Sequence, residues 1–184
     1  MEKYLKYYWL EKYIEDDVCS DFHNKKGVLA SFQFFSIIEW KNPKVGKTHI
    51  AKELREDENV KQLMEKIYHE KDLSKKLSIL LSVNGIKLAT ASAILTNLYP
   101  EEFTIYDIRV RKQLKKLGEW RENPDDITYD IDVVRKYFEK YLSPLKKIAR
   151  ENNLSLRDCD RALWAKDWSE DLRRFIKPSV YKSG

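Results

Sequence analysis

Residues 81–95 read Leu-Ser-Val-Asn-Gly-Ile-Lys-Leu-Ala-Thr-Ala-Ser-Ala-Ile-Leu, and residues 103–110 read Phe-Thr-Ile-Tyr-Asp-Ile-Arg-Val. The first stretch places a short polar turn containing Gly85 between two apolar segments, 73–81 and 88–98. Apolar residues recur in these segments at helical spacing, and glycine permits the positive φ of a tight connection. The stretch therefore predicts two helices joined by a hairpin.

The rest of the chain follows the same helical pattern. Only five glycines and five prolines occur among 184 residues, and the good helix formers Lys, Glu and Leu are abundant. No stretch alternates apolar and polar residues as a half-buried strand does. The predicted fold class is therefore all-α, with Asp72 as a helix N-cap and a break near residues 56–59. The further helices are expected at residues 2–17, 28–40, 48–70, 107–117, 131–151 and 156–176.

Composition and spacing exclude several classes of protein. Hydrophobic residues make up 42% and charged residues 35%, which excludes a disordered chain, and no apolar run approaches the roughly 18 residues of a membrane span. The N-terminus shows no signal peptide, so we expect a cytoplasmic protein. Cys19 and Cys159 lie far apart and the three histidines lack metal-ligand spacing, so we expect no metal and no cofactor. The net charge of +5 does not by itself indicate nucleic-acid binding.

The two quoted stretches together resemble the signature of the helix-hairpin-helix DNA glycosylase superfamily, of the endonuclease III-like type. In that family a Gly-hydrophobic-Gly hairpin joins two helices, its backbone amides meet a DNA phosphate, and a catalytic aspartate follows downstream. In gapless register, residues 85–87 fall on the hairpin and Asp107 on the aspartate. Ala89 takes the position of the lysine found in lyase members, and Thr90 belongs to a pair of small residues that lets the helices pack closely.

Two positions depart from the family pattern, namely Lys87 at the second hairpin glycine and Ala89 at the lyase lysine. Without an amine at position 89, Schiff-base chemistry there is impossible. The resemblance therefore implies a monofunctional enzyme, which flips a base out of the duplex into a pocket. Asp107 would activate water, or stabilise an oxocarbenium-like sugar, while the N-glycosidic bond breaks. The alternative for Asp107 is an ordinary N-cap of the following helix.

The predicted DNA contacts follow from this register and from charge. Exposed amides at the start of a helix attract an anionic phosphate, and Lys87 would add charge beside them, although it is also compatible with a solvated turn. The helix after Asp107 is basic and offers either a face that follows the DNA backbone or a solvated face. The residues expected to contact DNA are Gly85, Ile86, Lys87, Ala89, Thr90, Arg109 and Arg111.

Two tryptophans and a lysine outside these stretches are candidates for the base pocket. Trp40 and Trp164 have aromatic faces that can stack on any flipped base, and Lys41 is next to Trp40. The alternatives are core packing for the two tryptophans and an ordinary surface position for Lys41.

The resemblance also implies the architecture and the partner. We expect one compact unit over residues 1–184 with two lobes: a helix-hairpin-helix lobe at 47–117 and a second lobe formed by 1–46 and 118–184. The protein would be a monomer that binds double-stranded DNA and excises a damaged or mismatched base in base excision repair. Two alternatives remain open: a non-catalytic helix-hairpin-helix DNA-binding module, and a helical protein-interaction domain with no nucleic-acid role.

Overall fold

The computed structural model describes Tyr7 and residues 9–43, 49–124 and 132–176. Every regular element in these ranges is helical and none is a strand, which confirms the predicted all-α class. None of the helices in these ranges is long and apolar enough to cross a membrane. The chain divides into two compact units, Met1–Thr104 and Ile105–Gly184.

The first unit is built on helix pairs joined by short connections. In the described part of this unit, the first helix extends well past the predicted end at residue 17. The break predicted near residues 56–59 separates a 3₁₀ turn from a longer helix. The elements are α1 (Leu10–Tyr13, a π-helical segment Ile14–Val18, and Cys19–Asn24), α2 (Ser31–Lys41), the 3₁₀ turn Lys52–Arg55, α3 (Asp57–His69), α4 (Leu73–Leu81) and α5 (Leu88–Leu98).

Helix α5 is the central element of this unit. Its residues from 90 to 98 are all buried, and the small side chains of Ala91 and Ala93 let neighbouring helices approach closely. Helices α1, α2 and α4 all pack against it. The N-cap predicted for α4 is confirmed, because the Asp72 carboxylate accepts hydrogen bonds from the amides of Ser74 (2.8 Å) and Lys75 (3.2 Å).

This packing groups the chain differently from the lobes that the resemblance implied. The expectation separated residues 1–46 from the helix-hairpin-helix lobe at 47–117. In the structure α1 and α2 pack on α5, so they belong to the same compact unit as the hairpin. The boundary between the units follows Thr104, because the helix after Asp107 packs with the C-terminal helices.

The second unit consists of three helices in its described part. Helix α6 is Ile108–Lys116, α7 comprises Val133–Lys136, a π-helical segment Tyr137–Leu142 and Ser143–Glu151, and α8 is Leu156–Ile176. Pro144 lies in the first turn of the last α7 segment, directly after the π-helical segment, and it has no N–H to donate to the preceding turn. Helix α8 packs against both α6 and α7. The fully buried side chains at the centre of this unit include Val110, Leu114, Tyr137, Tyr141 and Leu145.

Candidate functional site

The turn between α4 and α5 is a tight hairpin. Gly85 adopts a φ of +86°, a left-handed conformation that side chains rarely tolerate. The amide of Ile86 donates to the carbonyl of Val83 at 3.1 Å, and the Ile86 side chain is buried. Asn84 and Lys87 on either side are exposed. The hairpin thus anchors one apolar residue in the core while its polar residues face solvent.

A segment far upstream braces this hairpin. The amide of Ala51 donates to the carbonyl of Asn84 at 3.0 Å. A Cβ atom built on Gly85 would lie 1.9 Å from the carbonyl oxygen of His49 and 2.8 Å from the Cα atom of Ile50. Glycine is therefore required at position 85 both by its φ and by the close approach of a neighbouring backbone. The glycine was the only sequence signal of this brace, since nothing in residues 49–51 indicates a partner at 84–85.

Backbone donors remain at the start of α5. Within the described part of the chain, the N–H groups of Gly85, Leu88 and Ala89 have no hydrogen-bond acceptor. Lys87 is the N-cap residue of the helix, with its side chain exposed. Amides at the first turn of a helix are bonded to water or to an anion when the protein supplies no acceptor. The hairpin therefore has the donors and the adjacent cation that a phosphate group requires.

The two neighbouring residues predicted to contact DNA differ in exposure. Thr90 is buried in the packing of α5, and its amide donates to the carbonyl of Lys87 at 2.9 Å. Ala89 is half-buried. Ala89 therefore lies at the surface of the first turn, whereas the Thr90 side chain has a structural position.

Asp107 is the N-cap residue of α6. Its carboxylate Oδ1 accepts a hydrogen bond from the amide of Arg109 at 2.9 Å, and its side chain is half-buried. Its own amide donates to the hydroxyl of Tyr141 at 3.2 Å. The N-cap alternative considered for this residue is thus realised, and the capping bond also fixes the direction of the carboxylate.

The two arginines of α6 are engaged within the second unit. Arg109 forms ion pairs with Asp167 (3.1 Å) and Asp171 (2.7 Å) of α8. Arg111 is buried, with its guanidinium 4.5 Å from the centre of the Tyr106 ring. Neither arginine is therefore an exposed cation, which differs from the expected face along the DNA backbone. The physical reason is that the acidic side of α8 packs directly against α6.

Asp167 is the centre of this α6–α8 network. Its side chain is 1% exposed, and its carboxylate also accepts a hydrogen bond from Gln113 Nε2 at 2.9 Å. An ion pair between Lys116 Nζ and Glu170 Oε2, at 2.6 Å, completes the network. The hydrogen bond from Lys116 lowers the pKa of Glu170, and the hydrogen bond from Arg109 lowers the pKa of Asp171. A buried carboxylate with this many donors holds α8 against α6.

The candidate base-pocket residues are divided between the two units. Trp40 and Lys41 are the last two residues of α2, and both are half-buried. Trp164 lies on α8 with 42% of its surface exposed, and the guanidinium of Arg109 is 5.7 Å from its ring centre. Within the second unit, Trp164 thus lies beside Arg109, the residue whose amide donates to the Asp107 carboxylate.

Charge is distributed unevenly between the units. Residues 105–184 carry 19 Lys and Arg against 14 Asp and Glu, a difference of +5, whereas residues 1–104 carry 16 of each. The whole excess of positive charge therefore lies in the second unit. A polyanion would be attracted to that unit by charge, while the hairpin lies in a unit that is neutral overall.

An open depression of about 360 Å³ lies on the second unit, with apolar walls from Leu117, Leu154 and Leu163. Asp107 is not among its lining residues. Cys159 contributes to its wall, and burial raises the pKa of that thiol to about 11, so it remains protonated and a poor nucleophile. Over the described ranges, no three His, Cys, Asp or Glu side chains form a group that could hold a metal ion.

Comparison of the chain with models of protein families, with curated proteins and with solved structures found no match.

Proposed function

We propose that this protein binds double-stranded DNA through the 85–87 hairpin and excises a damaged or mismatched base by monofunctional hydrolysis of the N-glycosidic bond. The observation that carries the proposal is the hairpin, where amides at the start of α5 that receive no acceptor from the described residues lie beside the exposed side chain of Lys87. A phosphate oxygen accepts hydrogen bonds from such amides and is attracted by the lysine. These contacts hold DNA without reading its sequence.

Asp107 supplies the catalytic carboxylate in this proposal, which activates the attacking water or stabilises the oxocarbenium-like sugar while the bond to the base breaks. A carboxylate that already accepts one hydrogen bond from the backbone of its own helix is oriented before substrate arrives, which favours reaction at a fixed position. With Ala89 at the position of the lyase lysine, the attacking nucleophile is water. Trp164 lies close to Arg109 on the same unit and offers an aromatic face to an extruded base.

Base release tests the enzyme directly. Duplexes carrying uracil, oxidised guanine, hypoxanthine, alkylated bases or mismatches are scored for release before and after alkaline strand cleavage, and monofunctional excision gives strand breaks only after alkali. Asp107→Asn should abolish release while leaving DNA affinity largely unchanged, because asparagine caps a helix as well as aspartate does but carries no charge. Release by Asp107→Asn at the wild-type rate would refute the assignment.

The matched control is Asp72→Asn. Asp72 caps α4 just as Asp107 caps α6, so the same substitution at both positions separates loss of the carboxylate from any effect on a helix N-terminus. We expect Asp72→Asn to retain base release.

The hairpin has a separate test that does not require excision. Lys87→Ala should weaken binding to every duplex and reduce the slope of log affinity against log salt by about 1, because one phosphate contact is lost. Lys75→Ala, an exposed lysine near the opposite end of α4, should change neither quantity. Equal effects of the two substitutions would remove the hairpin from the DNA interface.

A non-catalytic DNA-binding module is the second candidate. It is favoured by the engagement of Arg109 with two carboxylates, which leaves less exposed positive charge around Asp107 for a bound duplex. It predicts salt-sensitive DNA binding that depends on Lys87, together with no release of any base in the panel.

A helical protein-interaction domain is the third candidate, and one observation favours it. The outer side of α8 presents large apolar side chains that recur at three- or four-residue spacing, a pattern typical of surfaces that bind another protein. This candidate predicts that no duplex binds at any salt concentration. The exposed residues are Trp164, Trp168, Leu172, Phe175 and Ile176.

A further inference from the structure

The backbone on both sides of Tyr106 is held by one hydroxyl group from a distant helix. Tyr141 donates a hydrogen bond through Oη to the carbonyl of Ile105, and the same oxygen accepts the amide of Asp107 at 3.2 Å. Both groups belong to the segment that leads into α6. Because Tyr141 is fully buried, water does not compete for either bond.

Tyr141 is itself held in place by its helix and by other rings. It lies in the π-helical segment of α7, an irregularity that is frequent at functional sites. Its ring centre is 4.9 Å from that of Tyr106 and 6.2 Å from that of Trp120, both in edge-to-face geometry. The Tyr137 ring, one turn earlier, is 5.9 Å away. The hydroxyl therefore has little freedom to move away from the backbone it binds.

The Tyr141 hydroxyl also keeps its proton. Burial, together with the nearby carboxylates of Asp160 and Asp107, raises the pKa of Tyr141, so the hydroxyl remains a proton donor to the Ile105 carbonyl around neutral pH. The donor and acceptor roles of the two bonds are thus fixed by chemistry as well as by geometry.

We infer that Tyr141 is a positioning residue for Asp107: its hydroxyl sets the backbone from which the Asp107 carboxylate projects. The inference rests on the proposed function, in which that carboxylate acts on the substrate. The bond to the Asp107 amide fixes the peptide before the residue, and the capping bond to the Arg109 amide fixes the carboxylate after it. The two bonds together orient the carboxylate relative to α6, as a reacting group requires.

Tyr141→Phe tests the inference, because it keeps the ring and removes only the hydroxyl. We expect kcat for base release to fall by about 10- to 100-fold with KM nearly unchanged, since a displaced reacting group slows the chemical step more than it weakens binding. Amide hydrogen exchange at Asp107 should become faster, and the carboxyl ¹³C signal of Asp107 should shift.

The control is Leu145→Ala, a cavity-forming change at a fully buried residue one turn further along α7. It lowers stability without removing a hydrogen bond to the Asp107 backbone. At a temperature where both variants are folded, it should keep wild-type kcat and the wild-type Asp107 carboxyl signal. Equal losses of kcat in the two variants would make Tyr141 merely structural and overturn the inference.

The NMR signals separate this inference from the proposed function. If the wild-type protein releases no base from any duplex, the proposed enzyme fails, and the inference is then judged by the carboxyl signal alone. A shift confined to Tyr141→Phe supports positioning of Asp107, and an unchanged signal overturns it. If wild-type release is observed and Tyr141→Phe retains full kcat, only the inference fails.

Discussion

Replacement of Gly85 by alanine tests how the hairpin is built. The new Cβ atom would lie 1.9 Å from the His49 carbonyl oxygen, whereas ordinary contact begins at 3.4 Å, so the backbones must separate by about 1.5 Å, the difference between the two. The hydrogen bond from the Ala51 amide to the Asn84 carbonyl is 3.0 Å long and does not survive such a shift. The substitution therefore loses a bond as well as straining the backbone.

The expected loss has two parts. A left-handed φ costs an alanine about 1 kcal/mol, and the lost hydrogen bond costs about 1 kcal/mol more, with some packing lost in addition. The free energy of unfolding should fall by about 2–3 kcal/mol in all. At roughly 4 °C per kcal/mol for units of this size, Tm falls by about 10 °C.

Gly118→Ala is the matched control. Gly118 follows α6 with a φ of +78°, but a Cβ atom built there meets nothing within 4 Å. It therefore measures the backbone strain alone, at about 1 kcal/mol, or about 4 °C in Tm. Thermal melts followed by circular dichroism compare the two variants. Equal shifts in Tm would show that the upstream brace contributes nothing at Gly85 and refute the reasoning.

Two further predictions concern the α6–α8 network. Asp167→Asn should lower the free energy of unfolding by about 2–3 kcal/mol in urea titrations, because the Arg109 guanidinium loses a buried anionic partner. The control is Asp158→Asn at an exposed position of the same helix, which should change the free energy of unfolding by less than about 0.5 kcal/mol. A similar effect of the two substitutions would contradict a role for burial. Hydrogen bonds from α6 lower the pKa values of Glu170 and Asp171 below their ordinary 4.5 and 3.8, so their contribution is complete above about pH 4.5 and is lost as the pH falls through the lowered values. Thermal melts at decreasing pH should show the second unit losing stability below about pH 4, and an unchanged Tm there would argue against the network.

The local features of the candidate site were predictable because their causes lie within a few residues. Asp72 binds amides two and three residues further on, and Asp107 binds an amide two residues further on, so an aspartate before a helical pattern was a sufficient signal. The need for a flexible residue at Gly85 was predictable in the same way, since the turn itself demands a positive φ. The sequence did not predict that residues 49–51 pack against this glycine.

The environment of Asp107 required the fold. The sequence showed a basic stretch after this residue, but it gave no indication that Asp167, 58 positions beyond Arg109, would neutralise one of those cations. Tyr141 is similarly 34 positions from Asp107 and lies in a helix predicted only from its periodicity. A helical pattern specifies which face is apolar, but it does not specify which helix covers that face.

The amino-acid sequence by itself thus determined the helices, the two aspartate N-caps and the glycine of the hairpin, since each depends on torsion angles and hydrogen bonds between near neighbours in the chain. Only the tertiary structure decided how the helices group into two units, that residues 49–51 brace the hairpin, and which charges of α6 are neutralised. Those outcomes depend on contacts between side chains tens of residues apart, whose partners are selected by the packing of whole helices.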